Sequence, residues 1–314
     1  MSFQTEKAIQ ANSGNFKPQL EKRYKIDQIF KVTSWIATFS GLVVLAILLI
    51  GVLVDGIPHL SFEFLTSPPS RRPEQAGVWP AFVGSISLLL ITALVAFPIG
   101  VGSGIYLQEF AQNNKFARIV EINISNLAAV PSIIYGLLGL FVFARLFENI
   151  PGTEFPLTGG RSILSGGLTL ALLILPVIIV ATREALKAVP DSIRLAGMAL
   201  GSTRWQTVRT HVLPQAIPGI MTGTILALSR AIGETAPIIV VGAAAFVPFA
   251  PEISISGFQE PAFTAMPIQI YSWISRPQEE FHGIAASGII ILMLVLFAMN
   301  ATAIFLRNRF QRSS

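Results

Sequence analysis

The chain of 314 residues contains no cysteine. Disulfides, thiolate metal sites, Fe–S ligation and cysteine nucleophiles are excluded with it. Charge is scarce as well. Only 12% of residues are Asp, Glu, Lys or Arg, against roughly 25% in an average soluble domain. Histidine is limited to His59, His211 and His282, and no two of these share a helical face. No metal site is expected. None of the lysines follows a glycine, so no Gly-x-x-x-x-Gly-Lys-[Ser/Thr] loop can cradle a nucleotide. A nucleophile elbow of the Gly-x-Ser-x-Gly type is missing too. Neither catalytic residues nor a cofactor are therefore expected in this chain.

What is abundant is apolar surface: 52% of residues are hydrophobic and the mean hydropathy is +0.65. A soluble domain, a disordered chain and a polar repeat array are all poor fits to these figures. The composition points to an all-α polytopic membrane bundle. Six apolar stretches support it: 35–54, 83–107, 122–144, 164–181, 216–249 and 283–306. Each approaches or exceeds the about 20 residues that cross a hydrocarbon core. Backbone groups in lipid must bond within their own segment, so the stretches should be helices.

The net charge is +5 and the pI about 9.7. Basic loops on one membrane face explain this better than nucleic-acid binding does. Sixteen of the 22 Lys and Arg fall in the segment before the first stretch, the loops after the second and fourth, and the C-terminal segment. The positive-inside rule places these regions, and both termini, in the cytoplasm. Residues 1–31 read as a mobile cytoplasmic tail, too long and polar for a signal-peptide start. Residues 32–78 read as the first span with its Pro-rich external loop, 79–308 as the main transmembrane domain and 309–314 as a short tail. In external residues 250–282, Pro267 can begin a short helix carrying Ile270, Tyr271, Trp273 and Ile274. That helix fits an interfacial or re-entrant piece as well as an ordered surface loop.

Within the spans, Arg230 and Glu234 stand out. A mid-span charge costs at least about 2.5 kcal/mol on insertion scales and usually faces a bundle interior or a wet path. At i and i+4 the two share one face. They are candidates for a transport path, with the adjacent Thr235. Arg can offer a planar fork to a tetrahedral oxyanion, and Glu can balance it when the anion is absent. The plainer reading is a self-neutralised pair that lets the helix insert. Gly233 and Pro237 can loosen the helix there. Asn123, Ser125, Asn126 and Ser132 are polar and close together, in the path or, more simply, in interhelical hydrogen bonds. Gly136, Gly139 and the run Ala285-Ala286-Ser287-Gly288 read as small-residue packing faces.

Residues 184–214 carry the most specific pattern. Asp191 can N-cap a helix starting near Ser192. Leu195, Ala196, Met198 and Ala199 form an apolar stripe. Gly201 can stop that helix, and Ser202 or Thr203 can cap a second one that carries Trp205. Two short helices joined by a turn would lie along the membrane and present one face to a partner.

This loop resembles the coupling segment of ABC importer permeases of the type-I fold, whose pattern is Glu-Ala-Ala, three residues, Gly, nine residues, Ile-x-Leu-Pro. Gly201 and Leu213-Pro214 match. Leu195-Ala196-Gly197 stands where Glu-Ala-Ala is expected, and His211 stands for Ile. Three further segments, Pro131 to Gly139, Arg230-Ala231-Ile232-Gly233-Glu234-Thr235-Ala236-Pro237 and Phe263 to Tyr271, resemble the PstA-type permease subunits of bacterial phosphate importers. The resemblance spans about residues 32–308 and is looser to the sister PstC type. It implies a multi-pass half-permease in the bacterial cytoplasmic membrane that passes phosphate. A PstC-like chain would be its partner, two PstB-like ATPase subunits would use ATP and Mg, and a PstS-like protein would deliver phosphate. Arg194, Leu195, Ala196, Gly197, Leu200, Gly201 and Trp205 would then contact the ATPase, while Arg230 and Glu234 would matter for transport. Permeases for sulfate, molybdate or phosphonate, and a non-transporting membrane scaffold, are the alternatives.

Overall fold

The computed structural model describes residues 20–111, 115–149 and 156–311. All regular elements among them are helical. Two compact units are present, residues 1–51 and 52–314. In the first, α1 (Leu20–Gly56) exposes almost every side chain up to Gly51. The expected tail of residues 1–31 therefore includes the first turns of a helix, while its first 19 residues lie outside those described.

The second unit is a helix bundle. Its long members are α3 (Trp79–Ile105), α6 (Ile163–Lys187), α9 (Leu213–Gly233) and α13 (Glu280–Gln311). Between them lie α2 (Phe62–Thr66), α4 (Lys115–Leu127), α5 (Ser132–Phe141), α7 (Asp191–Ala199), α8 (Arg204–Thr207), α10 (Ala236–Val241), α11 (Ile255–Gln259) and α12 (Met266–Ile274). Five helices among the described residues are long and apolar enough to cross a membrane, or six if one bent pair counts as a single span.

The most buried span is α6. It can be central because small residues line its seams. A Cβ on Gly100 or Gly104 of α3 would lie 2.6 Å from Ile178 or Thr182, and one on Gly167 would lie 2.6 Å from Ile91. On the other side, Gly219 and Gly223 of α9 meet Ala185 and Ala181 of α6. This is the small-xxx-small pairing that lets backbones approach in lipid. The expected packing faces behave in the same way. Gly136 lies against Pro237, Gly139 against Thr169, and Gly288 against Ile270 and Trp273, while Ser287 donates to the Gly56 carbonyl at 2.7 Å.

Two expected spans are not single helices. The third stretch is α4 and α5 joined by a bend of 102°. Pro131 precedes α5; it lacks an N–H and forces the residue before it out of helical geometry. The Tyr135 hydroxyl donates to the Leu127 carbonyl at 2.8 Å and fixes the corner. The fifth stretch stops at Gly233 and resumes at Ala236. In a continuous helix the Pro237 ring would meet the Gly233 carbonyl, so the chain opens at Glu234 and Thr235.

Three π turns interrupt the regular α geometry: Tyr106–Phe110 after α3, Val142–Leu146 after α5, and Val208–Val212 between α8 and α9. Loops segregate to the two ends of the bundle. At one end, Arg276 donates to the Ser70 carbonyl and lies 4.2 Å from the Phe281 ring, and Gln259 donates to the Pro156 and Leu157 carbonyls. The turn after α3 and residues 184–212 share the other end. The helix expected from Pro267 is α12, and it is no surface loop. Met266, Ile268, Gln269, Ile270 and Trp273 are buried, and the Met266 N–H donates to Ser85 Oγ at 2.8 Å.

Candidate functional site

Two sites emerge, one in a span and one at the end of the bundle that carries residues 184–212. In the span, Arg230 sits in the last turn of α9 and Glu234 just beyond it. Arg230 Nε donates to Glu234 Oε1 at 3.0 Å. The Arg side chain is 51% exposed and the Glu side chain 18%. Only Nε is engaged among the described residues, so the outer edge of the guanidinium stays available. Glu234 has extended backbone at the break. Thr235 occupies the N-cap position of α10 with no side-chain capping bond. The pair therefore sits where the backbone is already unwound, a placement tolerated at membrane depth only beside protein or a wet cavity.

The polar cluster of the third stretch lies elsewhere. Asn123 donates to the Ile119 carbonyl at 2.8 Å and Ser125 to that of Glu121 at 3.0 Å, both on the exposed side of α4. Asn126 is exposed and Ser132 half-buried at the start of α5. Among the described residues no hydrogen bond links them to Arg230 or Glu234.

At the end of the bundle, α7 starts at Asp191 itself and Pro190 holds the cap position. Asp191 is thus a first-turn acid, favourable at a helix N-terminus, and not the cap that its residue type suggested. The helix ends in a Schellman motif. The Gly201 N–H donates to the Met198 carbonyl and the Ser202 N–H to that of Gly197, with Gly201 at φ +81°. Thr203 then forms a capping box with Gln206 and starts α8. Gly197 is buried against Thr207, where a Cβ would lie 2.6 Å from Thr207 Cγ2. That close approach fixes the angle between the two short helices. The outer face is apolar: Leu195, Met198, Leu200 and Trp205 are exposed, Leu200 by 87%, with Ala196 beside them.

Arg194 turns inward from this face. It meets Glu109 with Nε at 3.2 Å and Nη2 at 2.6 Å, and it also reaches the Val189 carbonyl at 2.7 Å, the Leu186 carbonyl at 2.8 Å and Asp191 Oδ1 at 3.2 Å. All five guanidinium protons find acceptors. Glu109 is 2% exposed and is carried by the π turn after α3. The hydrogen bond to Glu109 raises the Arg194 pKa above its ordinary value, the main effect, with burial acting against it and the charges of Glu109 and Asp191 adding to it. Phe110 reinforces the junction, with its ring 6.1 Å from that of Trp205 and 5.7 Å from the Arg204 guanidinium. Next to it, Arg183 of α6 binds Glu121 of α4 at 2.7 Å. Neither Glu109 nor Glu121 stood out in the sequence. The one available signal was a carboxylate placed just past an uncharged apolar run.

The family model described as binding-protein-dependent transport system inner membrane component matches residues 96–312. The chain belongs to that family. Members similar to it include a phosphate transport system permease protein PstA of Haemophilus influenzae, 30% identical over 88% of this chain and 91% of that protein. A PstC permease protein of the same organism is also 30% identical, over 90% and 91%. A probable ABC transporter permease protein YqgI of Bacillus subtilis is 36% identical over 67% and 70%. Among solved structures, a chain of a bacterial alginate ABC transporter superposes with TM-score 0.62 at 14% identity, covering 91% of this chain and 96% of the other. A chain of the inward-facing MetNI methionine ABC transporter gives 0.58 at 17% identity, covering 74% and 97%. The fold is that of type-I ABC importer permeases, as the resemblance of residues 184–214 implied.

Proposed function

We propose that this permease passes inorganic phosphate inward across the bacterial cytoplasmic membrane, driven by a separate ATPase. The observation that carries the reading is the Arg230–Glu234 pair on an opened helix within a span. An arginine whose carboxylate partner engages only one of its nitrogens can exchange that partner for a tetrahedral oxyanion. The PstA relative supports phosphate as that anion. Glu234 holds the positive charge when no anion is present, and Thr235 offers a hydroxyl beside it.

The α7–α8 face would seat in a groove of the ATPase dimer through Leu195, Ala196, Leu200 and Trp205, with Gly197 and Gly201 setting its shape. Arg194 would act through the α7–α3 junction instead of touching the ATPase. ATP and Mg belong to two PstB-like subunits, the other half of the path to a PstC-like chain, and delivery to a PstS-like binding protein. Both termini would be cytoplasmic. Radiolabelled phosphate uptake in a strain lacking this chain tests the proposal. Restoration by the wild type and loss with Arg230→Gln at unchanged protein level are expected. Uptake of sulfate or molybdate in place of phosphate would overturn the cargo.

A further inference from the structure

A groove of about 350 Å³ runs between α9 and α13, lined by Thr222, Ile225, Leu226, Asn300, Ile304 and Arg307. Its position follows from two registers. On α9, Thr222, Leu226 and Arg230 recur every fourth residue and so share one stripe, with Leu226 63% exposed. Across the seam, Ser229 donates to Asn300 Oδ1 at 2.8 Å, while Thr222 and Arg307 line the same groove. The two helices thus run antiparallel, and the stripe that begins at Arg230 leads down the groove to Arg307. At 1.5 Å per residue, Arg307 lies about 10 Å along the axis from the Ser229–Asn300 contact.

The chemistry of the lining favours one charge. Arg307 Nε is buried with no hydrogen-bond partner, and Arg307 forms no ion pair among the described residues. Asn300 has its oxygen engaged by Ser229, which leaves its NH2 group to donate. The Thr222 hydroxyl donates to the Pro218 carbonyl at 2.8 Å and is left as an acceptor, suited to a protonated oxyanion. Among the described residues no carboxylate lines the groove. A buried guanidinium nitrogen left without an acceptor is costly unless an anion visits it.

We infer that this groove is a second oxyanion station, on the cytoplasmic side of Arg230, where Arg307 draws the anion off the first site and toward release. The inference rests on the transport reading above. It gives the two cations different duties. Arg230 is balanced by Glu234 and holds charge at rest, whereas Arg307 has no such counter-ion among the described residues and acts as an attractor.

The absence of native cysteine makes the test clean. Thr222→Cys and Asn300→Cys would be made in the full transporter in membrane vesicles. Each would be treated with an anionic methanethiosulfonate (sulfonatoethyl) and a cationic one (trimethylammonioethyl). Each rate being divided by that reagent's rate with a free thiol in solution, the anionic reagent should be favoured about tenfold, the order of effect that local charge has on encounter rates. Arg307→Gln should erase the preference, Arg307→Lys should keep it, and inorganic phosphate should slow labelling. No labelling would mean that acyl chains or a partner subunit fill the groove, and would overturn the inference. Equal normalised rates for both reagents, or a preference that survives Arg307→Gln, would overturn it as well. If charge preference is present but phosphate neither protects nor is taken up, the phosphate reading fails and the oxyanion station stands.

Discussion

Two arginine–glutamate pairs in this chain have the same chemistry and opposite construction. Arg230 and Glu234 are four residues apart, joined by one bond, with the arginine half-exposed. Arg194 and Glu109 are 85 residues apart, with Glu109 buried and Arg194 half-buried, and every guanidinium proton of Arg194 has an acceptor. The first pair needs no tertiary structure to form, so it can open without cost to the fold. The second exists only when the end of α3 meets α7, so it reports and enforces that junction. Pairing alone therefore says little about role. The number of bonds, the burial and the sequence separation decide it.

The largest expected effect comes from the buried pair. Arg194→Ala leaves Glu109 uncompensated and should cost about 3–5 kcal/mol. Thermal unfolding of the purified permease in detergent should show it, together with low membrane levels. A small shift would mean that the junction is looser than its geometry. Next, Arg230→Gln should lower phosphate uptake by about a hundredfold or more, as loss of a charged transport-path contact should, while stability changes less than with Arg194→Ala, because the pair is a local i,i+4 contact whose arginine is half-exposed. Equal damage from both arginine variants to fold and to transport would erase the contrast. A smaller effect is expected from Gly201→Ala, where φ +81° strains any side chain and the cost is about 1 kcal/mol. Co-purification with the ATPase should weaken before unfolding does. Smallest is Thr203→Ala, which removes one half of the capping box for about 0.5–1 kcal/mol and leaves Arg194 untouched.

Hydropathy made the spans legible, because lipid selects apolar length irrespective of neighbours. It could not show the corner at Pro131 or the opening at Glu234, since the apolar run resumes after each. The prolines were visible, but whether a helix bends or breaks at a proline depends on what refills the freed backbone bonds, here Tyr135 at one corner. Arg230 and Glu234 were legible because charge in a span is rare. Gly201 and Thr203 were legible because turn and cap chemistry is local. Asp191 was misread by one position, since Pro190 took the cap. Glu109 was not legible, because its meaning comes from a partner 85 residues away. The inward turn of Arg194 was hidden for the same reason.

The π turn at Val208–Val212 links α8 to α9. Each π turn holds one residue more than the α turn it replaces. Deleting that residue would rewind the segment to plain α-helix and leave α7 and α8 close to the angle they already hold about the α9 axis, because one turn replaces another. The apolar face of Leu195 and Leu200 would keep its direction, and the span would stay in register. The extra residue works as slack: it widens one turn where α8 meets α9 and leaves the exposed face of the two short helices in phase with the span.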